Sequence, residues 1–99
     1  MKDITEIIKE LSHKDKIKRI DAAETLGMMM DEKAVDALIP ILKDKDRFVR
    51  QEVALALGKI KNPKAIEHLA QALENEKHES VRYYLEKAIE KLRNKDKTA

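Results

Sequence analysis

The stretch LGMMMDEKA, Leu26 to Ala34, returns in outline as LGKIKNPKA, Leu57 to Ala65, 31 positions later. A period of that size constrains a fold strongly, because each period is one structural unit that cannot bury its apolar face alone. Written in steps of that length, the chain forms three units. Ile4, Val35 and Ile66 share one column, Ile7, Leu38 and Leu69 a second, and Leu11, Leu42 and Leu73 a third. After Leu73 the third unit carries one extra residue. Val49 then aligns with Val81, Arg50 with Arg82, Val53 with Leu85, Ala56 with Ala88 and Ile60 with Leu92.

Each unit reads as two helices. Val35, Leu38, Ile39 and Leu42 give the i, i+3, i+4, i+7 stripe of an amphipathic first helix, and Val49, Val53, Ala56, Leu57 and Ile60 give the second. Asp15, Asp31, Asp46 and Asn62 stand where helix N-caps are needed, and Pro63 follows Asn62 at the first helical position. Asp3 and Glu6 fit a capping box. Pro40 falls inside a first helix, where it removes one N–H and crowds the preceding turn, so a kink is expected there. The pattern predicts helices over 3–7 (running on to about 12), 16–30, 32–43, 47–61, 63–74 and 79–93. The expected organisation is one domain, 1–99, with repeats at about 1–31, 32–62 and 63–94 and a frayed tail at 95–99.

Composition agrees with helices and narrows the chemistry. The 99 residues include only two Gly and two Pro, too little punctuation for a many-stranded β fold. There is no cysteine, which excludes disulfides and thiolate metal sites. Lys and Arg number 21 against 19 Asp and Glu, and a net charge of +2 is a weak basis for gripping a phosphate backbone. No apolar run approaches the roughly 18–20 residues of a membrane span, and the start MKDITEIIKEL has no signal-like core. The simplest localisation is cytoplasmic.

The stretch Asp44-Lys45-Asp46-Arg47-Phe48-Val49-Arg50-Gln51-Glu52-Val53-Ala54-Leu55-Ala56-Leu57-Gly58-Lys59-Ile60 fits D-x-D-x-x-V-R-x-x-x-A-x-A-L-G-x-I. On that motif the chain resembles HEAT repeats, in particular the short subclass of roughly 30 residues named after phycobilisome lyases. Unit one departs at His13 and Met29. Unit three lacks the Gly and the Asp pair. The resemblance implies an all-α fold, a right-handed α-α superhelix (solenoid) of three two-helix repeats. It also implies that Arg50 and Arg82 pair with an Asp of a neighbouring turn, Asp15, Asp44 or Asp46. The alternative is anion binding by Arg19, Arg50 and Arg82.

In HEAT-like solenoids the exposed side of the second helices lines the concave face. A wheel at 100° per residue puts Ile17, Ile20, Glu24 and Met28 of unit one on that side, with Phe48, Glu52 and Leu55 of unit two and Tyr83, Tyr84 and Lys87 of unit three. These are the candidate partner-binding residues. All three aromatics of the chain are among them, and an apolar patch rimmed by charge suits an interaction site. Charge grades along the face, from Asp21, Glu24 and Glu52 to Lys87 and Lys91. The Met28-Met29-Met30 run is expected to lie half in the core and half in the groove. Glu86 and Glu90 replace Ala54 and Gly58, and Glu6 and Glu10 replace Ala37 and Ile41, so both outer faces are polar, as terminal units of an array require.

Catalytic signatures are missing. His13, His68 and His78 form no dense ligand set. His78-Glu79 is similar to the His-Glu pairs of the HEAT-repeat di-iron deoxyhypusine hydroxylase, but that enzyme uses several and one stands here. No nucleophile elbow, P-loop or dinucleotide fingerprint is present. No cofactor is expected. The reading is a non-catalytic protein–protein interaction module or scaffold that binds a helix or extended segment of another protein, with self-association as a further use of the same patch. The alternatives are a nucleic-acid binder resembling HEAT-like DNA glycosylases, or an accessory subunit or chaperone of an enzyme, lyase-like.

Overall fold

The computed structural model describes residues 2–94, and the expected frayed tail at 95–99 lies outside them. Its helices are α1 (Ile4–Glu10), α2 (Lys16–Met29), α3 (Val35–Leu38), α4 (Arg47–Ile60), α5 (Ala65–Asn75) and α6 (Glu79–Arg93). The caps read from the sequence form as expected. Glu6 N–H donates to Asp3 and Asp3 N–H to Glu6, completing the capping box. Asp15 accepts from Ile17 N–H and Asp31 from Lys33 N–H, both at 2.9 Å. Asp46 accepts from Phe48 and Val49, at 2.9 and 3.1 Å. Asn62 accepts from Lys64 N–H at 3.0 Å, though regular α-helix begins only at Ala65.

The first helix of unit two is the largest departure. Instead of a kinked helix over 32–43, regular α structure is confined to α3. A 3₁₀ turn at Glu32–Ala34 precedes it, and a 3₁₀ helix at Ile39–Lys43 follows. Pro40 is the reason for the second of these. It has no N–H to give the turn before it, and its ring crowds that turn, so the chain tightens to i→i+3 bonding. Helix α1 is shorter than expected for a related reason, since Leu11, Ser12 and His13 close on Ile8, Lys9 and Glu10 with i→i+3 bonds.

The second helices α2, α4 and α6 pack side by side, and the first helices lie against them as a second layer. The extents of 36 × 32 × 16 Å describe a slab two helices thick. Leu26, Leu38, Leu57, Leu69 and Leu85, with Val35, Val49, Val53 and Val81, are fully buried between the layers. They belong to one continuous cluster that runs through all three helical pairs. Second helices approach closely because Gly27 of α2 faces Ala56 of α4, and Gly58 of α4 faces Ala88 of α6.

Candidate functional site

The helical spacing of α2, α4 and α6 sets the outward stripe. Residues 17, 24 and 28 recur at one side of α2, residues 48, 52 and 55 at one side of α4, and 83 and 87 at one side of α6. Ile17 is 55% exposed, Met28 68%, Phe48 48% and Tyr83 54%. Glu24 and Lys87 are exposed, and Glu52 is half-buried. Every exposed large hydrophobic among the described residues, Met29 and Met30 included, lies on or directly after a second helix. The methionine run therefore does not enter the core. All three side chains stand in solvent, because Ala22, Ala23, Leu26 and Gly27 already fill the buried side of α2.

Three candidates sit deeper. Ile20 and Tyr84 are partly buried against the core, and Leu55 is half-buried. Tyr84 meets Tyr83 edge to face, with ring centroids 5.2 Å apart. Two aromatics carry a cation over the ring. Arg47 lies 4.8 Å from the Phe48 centroid, and Lys87 lies 5.7 Å from that of Tyr83.

Electrostatics ties α2 to α4 on this side. Burial raises the Glu52 carboxyl above its usual range, and the charge of Glu24 raises it further, with Lys59 opposing. An ionised Glu52 is therefore held at a cost beside a like charge. Near the start of the two helices, Lys16 Nζ lies 3.5 Å from Asp46 Oδ2. Burial alone would raise Asp46, but the N–H groups of Val49 and Phe48 and the nearby Lys16 outweigh it, and the carboxyl is held below its usual range.

The arginine column behaves differently from expectation. Arg50 pairs with no Asp carboxylate. Its Nε and Nη2 grip Glu76 at 2.8 and 3.0 Å, and its Nη1 donates to the Asp44 carbonyl oxygen at 2.8 Å. Arg82 makes no ion pair among the described residues. It donates to the carbonyl oxygens of Leu73 and Glu76. Asp44 instead takes Arg19, at 2.8 and 3.1 Å. The physical rule is a forward step. Arg19 and Arg50 each reach the acid that opens the next inter-helix turn, which in unit three is Glu76. Arg19 and Arg50 thus have their forks filled and are not available to an outside anion.

One cleft was not anticipated. About 840 Å³ opens where the 3₁₀ helix that contains Pro40 faces α5, lined by Pro40, Leu42, His68, Gln71 and His78. Pro40 was the available signal, since the missing helical turn is what leaves the space. Arg50 and Glu76 border it but are already paired. Among the described residues no three His, Asp or Glu side chains are grouped to hold a metal ion, and no helix is long and apolar enough to cross a membrane.

No curated protein matches the chain at a significant level. A family model described as HEAT repeats matches residues 4–90. With three helical pairs in two layers, a forward-stepping arginine column and a match over most of its length, the chain belongs to the HEAT-repeat family.

Proposed function

We propose that this protein is a non-catalytic interaction module that holds a segment of another protein on the outward face of α2, α4 and α6. HEAT repeats generally mediate protein–protein contacts. The observation that carries the reading is the confinement of exposed large hydrophobics to the second helices. Isolated exposed apolar side chains need no explanation, but their gathering in one layer does. The strained charge of Glu52 beside Glu24 supports a partner cation at that point. Lys87 and Lys91 at the other end favour acids in the same segment. The site residues are Ile17, Glu24, Met28, Phe48, Glu52, Tyr83 and Lys87, with Ile20, Leu55 and Tyr84 as their half-buried support. The motif Asp44 to Ile60 favours the short, phycobilisome-lyase-like subclass.

Phe48→Ala and Tyr83→Ala test the reading. A photo-reactive residue at position 51, between the two rings in sequence, identifies what covers the face in cells. The expected result is a discrete crosslinked protein that both alanine variants release, each losing roughly 1–2 kcal/mol of binding, while melting temperatures stay close to the parent. A crosslink only to a second copy reassigns the face to self-association. Retention of every crosslink by both stable variants removes the face as the binding site.

A further inference from the structure

Arg82 repeats half of an arrangement that the inner units complete. In unit one, Arg19 Nη1 donates to the carbonyl oxygen of His13 at 2.7 Å, while Nε and Nη2 grip Asp44. In unit two, Arg50 Nη1 donates to the carbonyl oxygen of Asp44, also six residues earlier, while Nε and Nη2 grip Glu76. In unit three, Arg82 Nη1 donates to the carbonyl oxygen of Glu76 at 3.0 Å, and to that of Leu73 at 2.8 Å. Among the described residues, nothing meets its Nε and Nη2. The carbonyl six residues earlier therefore anchors the guanidinium as in the other units, with the Leu73 carbonyl added, and the edge that elsewhere takes a carboxylate bidentately is left ready.

That guanidinium borders an open cleft of about 650 Å³ between α5 and α6. Ala70, Leu73 and Ile89 give the cleft an apolar floor, with Glu74, Glu86, Glu90 and Arg93 around it. The close seam used between second helices is not repeated on the outer side of α6. Gly27 and Gly58 admit the neighbouring second helix, whereas α6 carries Glu90 at that position. A second copy stacked head to tail brings no acid either. Its residue in the column of Asp44 and Glu76 is His13. The Nδ1 of His13 already accepts the N–H of Asp15 at 3.0 Å, as Asp44 accepts that of Asp46 and Glu76 that of His78.

We infer that this end of the molecule seats an extended segment of another protein, with one carboxylate on Arg82 Nε and Nη2 and an apolar side chain on Ala70, Leu73 and Ile89. The segment carries a single acid there, because Glu74, Glu86 and Glu90 outnumber Arg93 around the rest of the cleft and repel any more. The site is separate from the face of α2, α4 and α6 and does not depend on it.

The test follows the arginine Nε–H resonances of the ¹⁵N-labelled full chain by NMR. The probe is a blocked peptide of residues 41–45, ILKDK, whose Asp44 meets Arg19 within the fold and whose Leu42 lies in the core. Titration is expected to shift the Arg82 Nε–H saturably and leave those of Arg19 and Arg50 in place. The Asp44→Asn peptide is expected to bind about tenfold or more weakly, the cost of a lost charged hydrogen bond. Arg82→Gln, once circular dichroism shows it folded, is expected to bind the parent peptide equally weakly. If that variant does not fold, the two peptides on the parent chain decide alone. An unmoved Arg82 resonance, or equal binding of both peptides, overturns the proposal. So does an Arg82 resonance that shifts without peptide when the chain is shortened after Asn94, since the chain's own end then fills the fork.

Discussion

Met30 and Lys61 close α2 and α4 in the left-handed region, with φ of 51° and 61°. A side chain there strains against its own carbonyl, and glycine is the usual residue at such an end. Met30→Gly and Lys61→Gly are each expected to raise stability by about 0.5–1 kcal/mol, measured by urea unfolding. The pair occupies one column of the repeat, so the shared frame was legible, but the sign of φ was not, because neither residue type signals it. Glu52 gives a second prediction at this scale. Its carboxyl is raised above 4.5 by burial and by Glu24, so the ionised form works against the fold at neutral pH. Protonation removes that cost, and the benefit is fully present below pH 4.5. Glu52→Gln is therefore expected to melt higher than the parent at neutral pH, with the gap closing as the solution is acidified. A gap that stays constant with pH would show that charge is not the cause. Position 52 was read as facing outward, and Glu52 is half-buried. Its half-burial came from the neighbouring helix, which no single-helix wheel contains.

Between elements, glycine and arginine set the distances. A Cβ at Gly27 would stand 2.9 Å from the Cα of Ala56, a backbone atom that cannot turn aside, whereas at Gly58 the nearest atom, the Cα of Ala88, is at 3.3 Å. Alanine in place of a mid-helix glycine gains about 1 kcal/mol of helix propensity. Gly58→Ala is expected to come out near neutral, and Gly27→Ala to lose about 1–3 kcal/mol as α2 and α4 are forced apart. Equal effects would mean that the two seams are equally tight. Glu76 links unit two to unit three. Burial alone would raise its carboxyl, but Arg50, the N–H of His78 and the positive charges nearby outweigh it and hold it below its usual range. A depressed acid stabilises the fold above its unfolded pKa, and that contribution is lost as pH falls below 4.5 through the folded value. Glu76→Gln is expected to cost about 1.5–3 kcal/mol at neutral pH. It should also flatten the acid limb of a melting-temperature curve. The sequence named the arginine column and misassigned its acids, because an acid one unit ahead is chosen by the stacking offset rather than by proximity along the chain.

Across the whole molecule, three helical pairs share one cluster of buried side chains. Truncating its centre should therefore be felt everywhere. Leu57→Ala is expected to cost about 2–5 kcal/mol and to lower one cooperative transition seen alike by circular dichroism and by near-terminal hydrogen exchange. Separate transitions would mean that the units fold independently. The contrast with Phe48, exposed on the second-helix layer, separates packing from binding at this scale. Tyr84 belongs with the packing side, because it lies against the core.

The sequence by itself determined the unit, its two helices, their caps and the buried columns. Each of these follows from a period or a local hydrogen bond that a few neighbouring residues settle among themselves. Val49, Val53, Leu57 and Ile60 are inward for any helix of that pattern, and Asp46 caps wherever the helix begins there. Only the tertiary structure decided how far Pro40 would unwind its helix, which acid each arginine would reach, and which of the outward side chains would be half-covered. Those outcomes depend on what stands across the gap. Ile20 and Tyr84 lean onto a core that all three units share, Glu52 feels Glu24 of α2, and Arg82 keeps an open edge because no neighbour among the described residues supplies the acid.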